Sequence, residues 1–189
     1  AELARVLGLL GSRKTPLGLA VGQNVPFILT GKTEVTTYAP TQLPEADGDF
    51  LALAARVMAH DAAMSKALEG GEASADMASD MGGMNAMPRG PRNQAPAMAK
   101  VVGRMLASEK GPRLAVADIG GWDTHTGQEG RLTQALNQLD GALAALVETM
   151  QPVWQKTTIL AITEFGRTVA VNGSGGTDHG TASAAFVAG

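Results

Sequence analysis

Two short apolar runs separated by one long amphipathic stretch constrain this chain more than any other feature of its sequence. Residues 113–119, Arg-Leu-Ala-Val-Ala-Asp-Ile, pack β-branched and small apolar side chains between a Gly-Pro opening and a Gly-Gly close, which predicts a buried strand. Residues 157–163, Thr-Thr-Ile-Leu-Ala-Ile-Thr, read the same way. Between them Leu132, Leu136, Leu139, Leu143, Leu146 and Met150 recur three and four apart, the spacing of one helical face. Strand, helix and strand in this order predict a parallel, right-handed crossover. Ligands of open parallel sheets bind beyond the carboxyl ends of the strands.

The chemistry gathers at those ends. Three segments, GGWDTH (residues 120–125), TEFGRT (residues 163–168) and GTDHG (residues 176–180), hold two of the three histidines beside carboxylates and glycines. Asp123 and His125 are two apart, so in extended backbone both side chains point the same way. Glu164 is expected to end the second strand and Asp178-His179 to lie in a glycine-flanked turn, so Asp123, His125, Glu164, Asp178 and His179 are candidate metal ligands. Mixed carboxylate and imidazole donors suit a divalent cation, with zinc first and manganese or calcium as alternatives. The same spacing also suits ordinary hydrogen-bonded loop histidines. Arg167 is the candidate anion binder because its planar fork matches two phosphate or sulfate oxygens, although a salt bridge to Glu164 or Asp178 would serve equally. Asn172 stands in a Gly/Ser loop that offers backbone donors to the same anion.

Several classes are excluded. With 189 residues the chain suits one domain with a substantial core. Its net charge of −3 comes without any basic run, which gives nucleic acid no footing. No apolar stretch reaches membrane-spanning length. Zero cysteines removes disulfides, thiolate metal sites and a cysteine nucleophile. No G-x-S-x-G elbow or P-loop occurs, which argues against a serine hydrolase or a nucleoside triphosphatase.

The first half is less distinctive. Residues 1–48 read as loop-rich short strands or a flap over the sheet. Asp49 is expected to cap a helix running to Leu68 and ended by Gly70-Gly71. Residues 72–95 form a Met/Gly-rich loop or lid, whose methionines either pack on an apolar patch or offer thioethers to copper. A further helix is expected over residues 95–108. His60 reads as a surface or structural histidine. The missing initiator methionine and the apolar final run suggest an interior fragment, with residues 113–189 as the core of a single α/β domain spanning 1–189.

At GGWDTH, TEFGRT and NGSGGTDHG, taken in order with the intervening helix and strand, residues 114–189 resemble the DUF1501 proteins of the alkaline phosphatase-like (sulfatase and phosphomutase) superfamily. The resemblance implies a three-layer α/β/α sandwich with a mainly parallel sheet and a metal site that holds a small phosphate or sulfate ester. It implies Asp123, His125 and His179 as ligands, and Glu164 where active relatives carry the aspartate of an Asp-His pair. Phe165 then replaces the histidine of that pair. Nothing in residues 1–50 matches the superfamily's nucleophile segment, so the remainder of the same polypeptide is expected to carry it. Export to the periplasm is a further implication. The alternative is a non-catalytic domain of the same fold, used for binding or assembly at the cell envelope.

Overall fold

The computed structural model describes residues 17–22, 24–31, 35–39, 46–80 and 94–189. Its centre is a three-stranded parallel sheet in the order β2-β1-β3, made of β1 (Gly18–Val21), β2 (Val35–Tyr38) and β3 (Leu114–Ala117). Of the two expectations for residues 1–48, short strands or a flap over the sheet, the strands are what forms, and they supply the middle and one edge of the sheet. β1 reads Gly-Leu-Ala-Val and is buried along its whole length. A strand flanked on both edges and covered on both faces carries apolar residues without alternation, and four residues are too few for periodicity to reveal it.

Among the described residues four α-helices accompany the sheet: α1 (Gly48–Met58), α2 (Ala62–Asp80), α3 (Gln94–Ala107) and α4 (Gln128–Thr149). α3 covers one face, where Val101, Val102 and Met105 pack on Leu19 and Val21. On the other face Leu17, Ala20 and Leu29 cluster with Leu114 and Val116. α4 lies against α3 through alanines, Ala142 and Ala145 meeting Ala95 and Ala99. The leucine stripe that identified α4 is only partly buried, and Leu136 is exposed. Small side chains let the two helix backbones approach, so the buried face of α4 is its alanine face beside the leucines.

The expected single helix from Asp49 to Leu68 is two helices. Asp47, not Asp49, is the N-cap, its carboxylate accepting the Phe50 N–H at 2.7 Å. Asp61 breaks the run by accepting the N–H groups of Ala63 and Met64 at 2.9 and 3.0 Å, a local capping arrangement that competes with continuous helix. Gly70-Gly71 lies inside α2 instead of ending it. α2 also takes in residues 72–80 of the expected Met/Gly-rich loop, while Met81, Met84 and Met87 fall outside the described residues.

The strand–helix–strand expectation holds in its elements and fails in its pairing. β4 (Ile159–Ala161) does not neighbour β3 but pairs antiparallel with β7 (Phe186–Ala188). β5 (Gly166–Val171) and β6 (Thr177–Gly180) form a separate antiparallel pair. Apolar runs announce strands without naming their partners, and the β7 run was equally available to β4. The described chain is thus mixed α/β, with one parallel sheet and two antiparallel ladders.

Candidate metal centre

The site forms where the loop after β3 meets the β5–β6 pair. The loop turns at Trp122, whose carbonyl accepts the Thr124 N–H, and bends again over residues 125–127, so that Asp123 and His125 meet at 3.0 Å while Thr124 between them is 2% exposed. Asp178 and His179 belong to strand β6, not to a turn, and His179 is directly opposite Arg167 on β5. Cross-strand neighbours meet on one face, which brings the guanidinium and the imidazole to the same carboxylate.

That carboxylate is Asp123. Its Oδ1 lies 3.0 Å from His125 Nε2, 3.0 Å from His179 Nε2 and 2.8 Å from Arg167 Nη1. One ligand atom from each of Asp123, His125 and His179 falls within 4.8 Å of the others. The histidine rings stack, with centroids 5.0 Å apart and planes 20° from parallel. Phe165 packs on the His179 ring at 4.8 Å, and the Arg167 guanidinium lies 5.7 Å from the Phe165 centroid.

The remaining expected site residues take other places. Asp178 Oδ1 holds His125 Nδ1 at 3.0 Å, on the opposite edge of that ring from Asp123. It stands behind a candidate ligand, His125. Asn172 donates from Nδ2 to both Asp178 Oδ1 and the His125 carbonyl at 3.0 Å, while its Oδ1 accepts the Ser174 and Gly176 N–H groups. Its amide is therefore engaged inside the loop rather than presented to an anion. Arg167 makes its salt bridge with Asp123, and its Nε donates to Thr177 Oγ1 at 3.0 Å while Nη2 donates to the Thr177 carbonyl. Glu164 is exposed in the segment between β4 and β5 and does not join the three-residue group. His60 is exposed at the break between α1 and α2.

A polar clasp that the sequence did not announce fixes the two loops. Thr177 Oγ1 and Thr124 Oγ1 both donate to Gln128 Oε1, at 2.7 and 2.8 Å. The N–H groups of Gly127 and Gln128, at the start of α4, donate to the Ser174 and Gly175 carbonyls. Those N–H groups lack partners within the helix, so the loop carbonyls satisfy them. Gly175 turns the loop at a φ of +67°, and Gly176 lies so close to the His125 backbone that a Cβ there would sit 2.2 Å from its carbonyl carbon. Thr124 and Thr177 stand inside the GGWDTH and GTDHG segments, but hydroxyls there carry no sign of a shared partner, and Gln128 lies outside all three segments.

The electrostatics follow from these contacts. The Arg167 guanidinium, with His179 and His125 behind it, holds the Asp123 carboxyl below the usual carboxylate range. Asp178 is lowered as well, by hydrogen bonds from Asn172 and then His125.

Among known sequences, the model of a family described as "Protein of unknown function (DUF1501)" matches residues 33–189. No curated protein and no solved structure matches the chain.

Proposed function

Since the chain belongs to the DUF1501 family, whose description leaves its role open, we propose from its geometry that Asp123, His125 and His179 hold a divalent cation, zinc in first place, in an alkaline phosphatase-like domain of the phosphate- and sulfate-ester hydrolases. The observation that carries this reading is the convergence of one carboxylate oxygen and two imidazole nitrogens within 4.8 Å. Three mixed protein donors leave a coordination position open, as in catalytic rather than structural zinc sites. When bound, such a cation polarises an ester oxygen or lowers the pKa of a water molecule.

The chain's own residues do the positioning. Asp178 receives the Nδ1–H of His125 and so leaves Nε2 for the cation side, an outer carboxylate that orients the imidazole. Asn172 holds Asp178 in place, and Arg167 holds Asp123. A guanidinium has five N–H groups, and three contacts leave two of them for a substrate anion.

The test is metal content and zinc affinity of the protein and of its His125→Ala and His179→Ala variants. We expect one cation bound, lost in both variants and retained in Glu164→Ala. Absence of bound cation from the wild type, or unchanged content in both histidine variants, refutes the assignment.

A second reading, a non-catalytic binding or assembly domain, is favoured by Phe165. In the resemblance its position belongs to a ligand histidine, and here its ring covers part of His179. The hydroxyls beside the group, Thr124 and Thr177, both donate to Gln128. Assay of the zinc-loaded intact polypeptide, with its nucleophile-bearing remainder, on p-nitrophenyl phosphate and p-nitrophenyl sulfate separates the two: release of nitrophenol lost in His125→Ala supports the hydrolase, and none supports the binding domain. Periplasmic placement rests on the resemblance. Among the described residues no helix is long and apolar enough to cross a membrane.

A further inference from the structure

We propose that the cleft at the carboxyl edge of the parallel sheet binds a polyhydroxylated organic group, the sugar or polyol portion of an ester whose anionic end meets Asp123, His125 and His179. The ester half of this statement rests on the cation-site reading above; the recognition of hydroxyls does not. The cleft has a volume of about 810 Å³ and reaches Asp123, and small-molecule sites take this size and this position on parallel sheets. It opens at Val21, the last residue of β1, and at Asp118, just past β3, between the first turn of α3 and residues 131–138 of α4. Gln138 on α4 accepts the Ala95 N–H of α3 at 3.2 Å, which braces that wall.

The lining has a distinctive chemistry. Asn24, Gln94 and Gln134 bring three primary amides, and Asp118 and Arg131 bring one charge of each sign. None of these five side chains is engaged in a hydrogen bond or ion pair among the described residues. Amides and carboxylates both accept from and, for the amides, donate to hydroxyl groups, so they suit pairs of neighbouring alcohols. The two charges cancel, and Asp123 is already paired with Arg167, so the cleft has no excess of positive charge to attract a free anion. No aromatic ring lines it among the described residues, which removes the usual platform for a nucleobase. Met98, Ile119 and Ala135 supply an apolar strip for the C–H face of a sugar ring.

The closing experiment separates this inference from the metal reading. Backbone amide NMR of the metal-free protein is followed during titration with methyl β-D-glucoside, and in parallel with cyclohexanol as a ring of similar size and one hydroxyl. We expect the glucoside alone to shift the amides of residues 118–121 and 131–135, and the doubly substituted Asp118→Ala, Gln134→Ala protein to lose that response. On the zinc-loaded protein, glucose 6-phosphate should bind at least about tenfold more tightly than inorganic phosphate, an advantage lost in the double variant. Equal responses to glucoside and cyclohexanol, or shifts elsewhere on the molecule, overturn the proposal without need of any variant. His125→Ala should lose zinc and keep the glucoside response, so a failed metal site and a failed cleft give different results.

Discussion

The β1 strand and the β5–β6 pair are both short and both carry valine, yet opposite forces hold them. Leu19, Ala20 and Val21 are buried between α3 and the Leu29 cluster, so area removed from water stabilises that region. In β5, Val169 is 97% exposed and Val171 71%, and the strand is fixed to the loop after β3 through Arg167, Asn172, Thr177 and Gln128. One region is held by apolar burial and the other by directional bonds. Burial tolerates small displacements, whereas a hydrogen bond 3 Å long loses most of its value within a few tenths of an ångström and a few tens of degrees. The metal-type group is built on the directional region, so its geometry and the stability of the fold should respond to different substitutions.

The largest expected effect tests the burial side. Leu19 is fully buried, and Leu19→Ala should lower the unfolding free energy by about 2–5 kcal/mol in urea denaturation. The folded fraction should keep wild-type zinc affinity. Loss of affinity in step with stability would mean that the two regions are one unit. Gly176→Ala tests the other side. The added Cβ meets the His125 carbonyl at 2.2 Å, and such overpacking costs about 1–3 kcal/mol. Because the atom displaced belongs to a candidate ligand, zinc affinity should fall by about tenfold or more, as when an orienting partner is lost. A variant with unaltered zinc affinity would break the link between clasp and site.

The same contrast explains what the sequence made legible. α3 and α4 stood out because long amphipathic helices repeat their pattern over several turns, and β3 and β4 stood out because glycines and proline bracket β3 and short β-branched runs mark both. The pairing of β4 with β7 was hidden, since strand partners depend on distant residues with no local mark. β1 fell within the short strands expected of residues 1–48, but its place at the centre of the sheet was hidden, since four residues carry no mark of their partners. In the site, Asp123, His125 and His179 were recognisable because few side chains bind metals. Asp178 and Asn172 were visible as polar residues but not as supports, because a residue's role behind a ligand depends on which edge of a ring it reaches. Thr124, Thr177 and Gln128 were invisible, as hydroxyls and amides are common and only the fold makes them converge. Glu164 satisfied the chemistry of a ligand and lies outside the group, which the connection from β4 to β5 decides.

A smaller effect concerns acid. Asp123 and Asp178 have folded-state pKa values below their ordinary ones, so their contribution is fully present above the unfolded carboxylate value, near about 3.9. It is lost as pH falls through the lowered folded values. Both carboxylates are well exposed, which keeps the effect small and sensitive to salt. Urea midpoints measured from pH 5 to pH 2 should therefore fall less steeply in Asp123→Asn than in the wild type, and 1 M salt should narrow the gap. Parallel curves at low salt would show that the Arg167 and histidine contacts do not survive in solution.

The smallest expected effect marks the boundary between the two regions. Val169 lies on the same strand as Arg167 but is almost wholly exposed, and no burial accompanies its side chain among the described residues. Val169→Thr preserves the β-branched shape that suits a strand and adds only a solvated hydroxyl. It should change the unfolding free energy by no more than about 0.5 kcal/mol and leave zinc affinity unaltered. Leu19→Ala and Val169→Thr together then bracket the comparison: equally apolar strand positions, one worth several kilocalories per mole and one worth almost nothing. If Val169→Thr instead costs as much as a core substitution, the β5–β6 pair is buried in the protein in solution, and apolar packing joins the hydrogen bonds in holding the site.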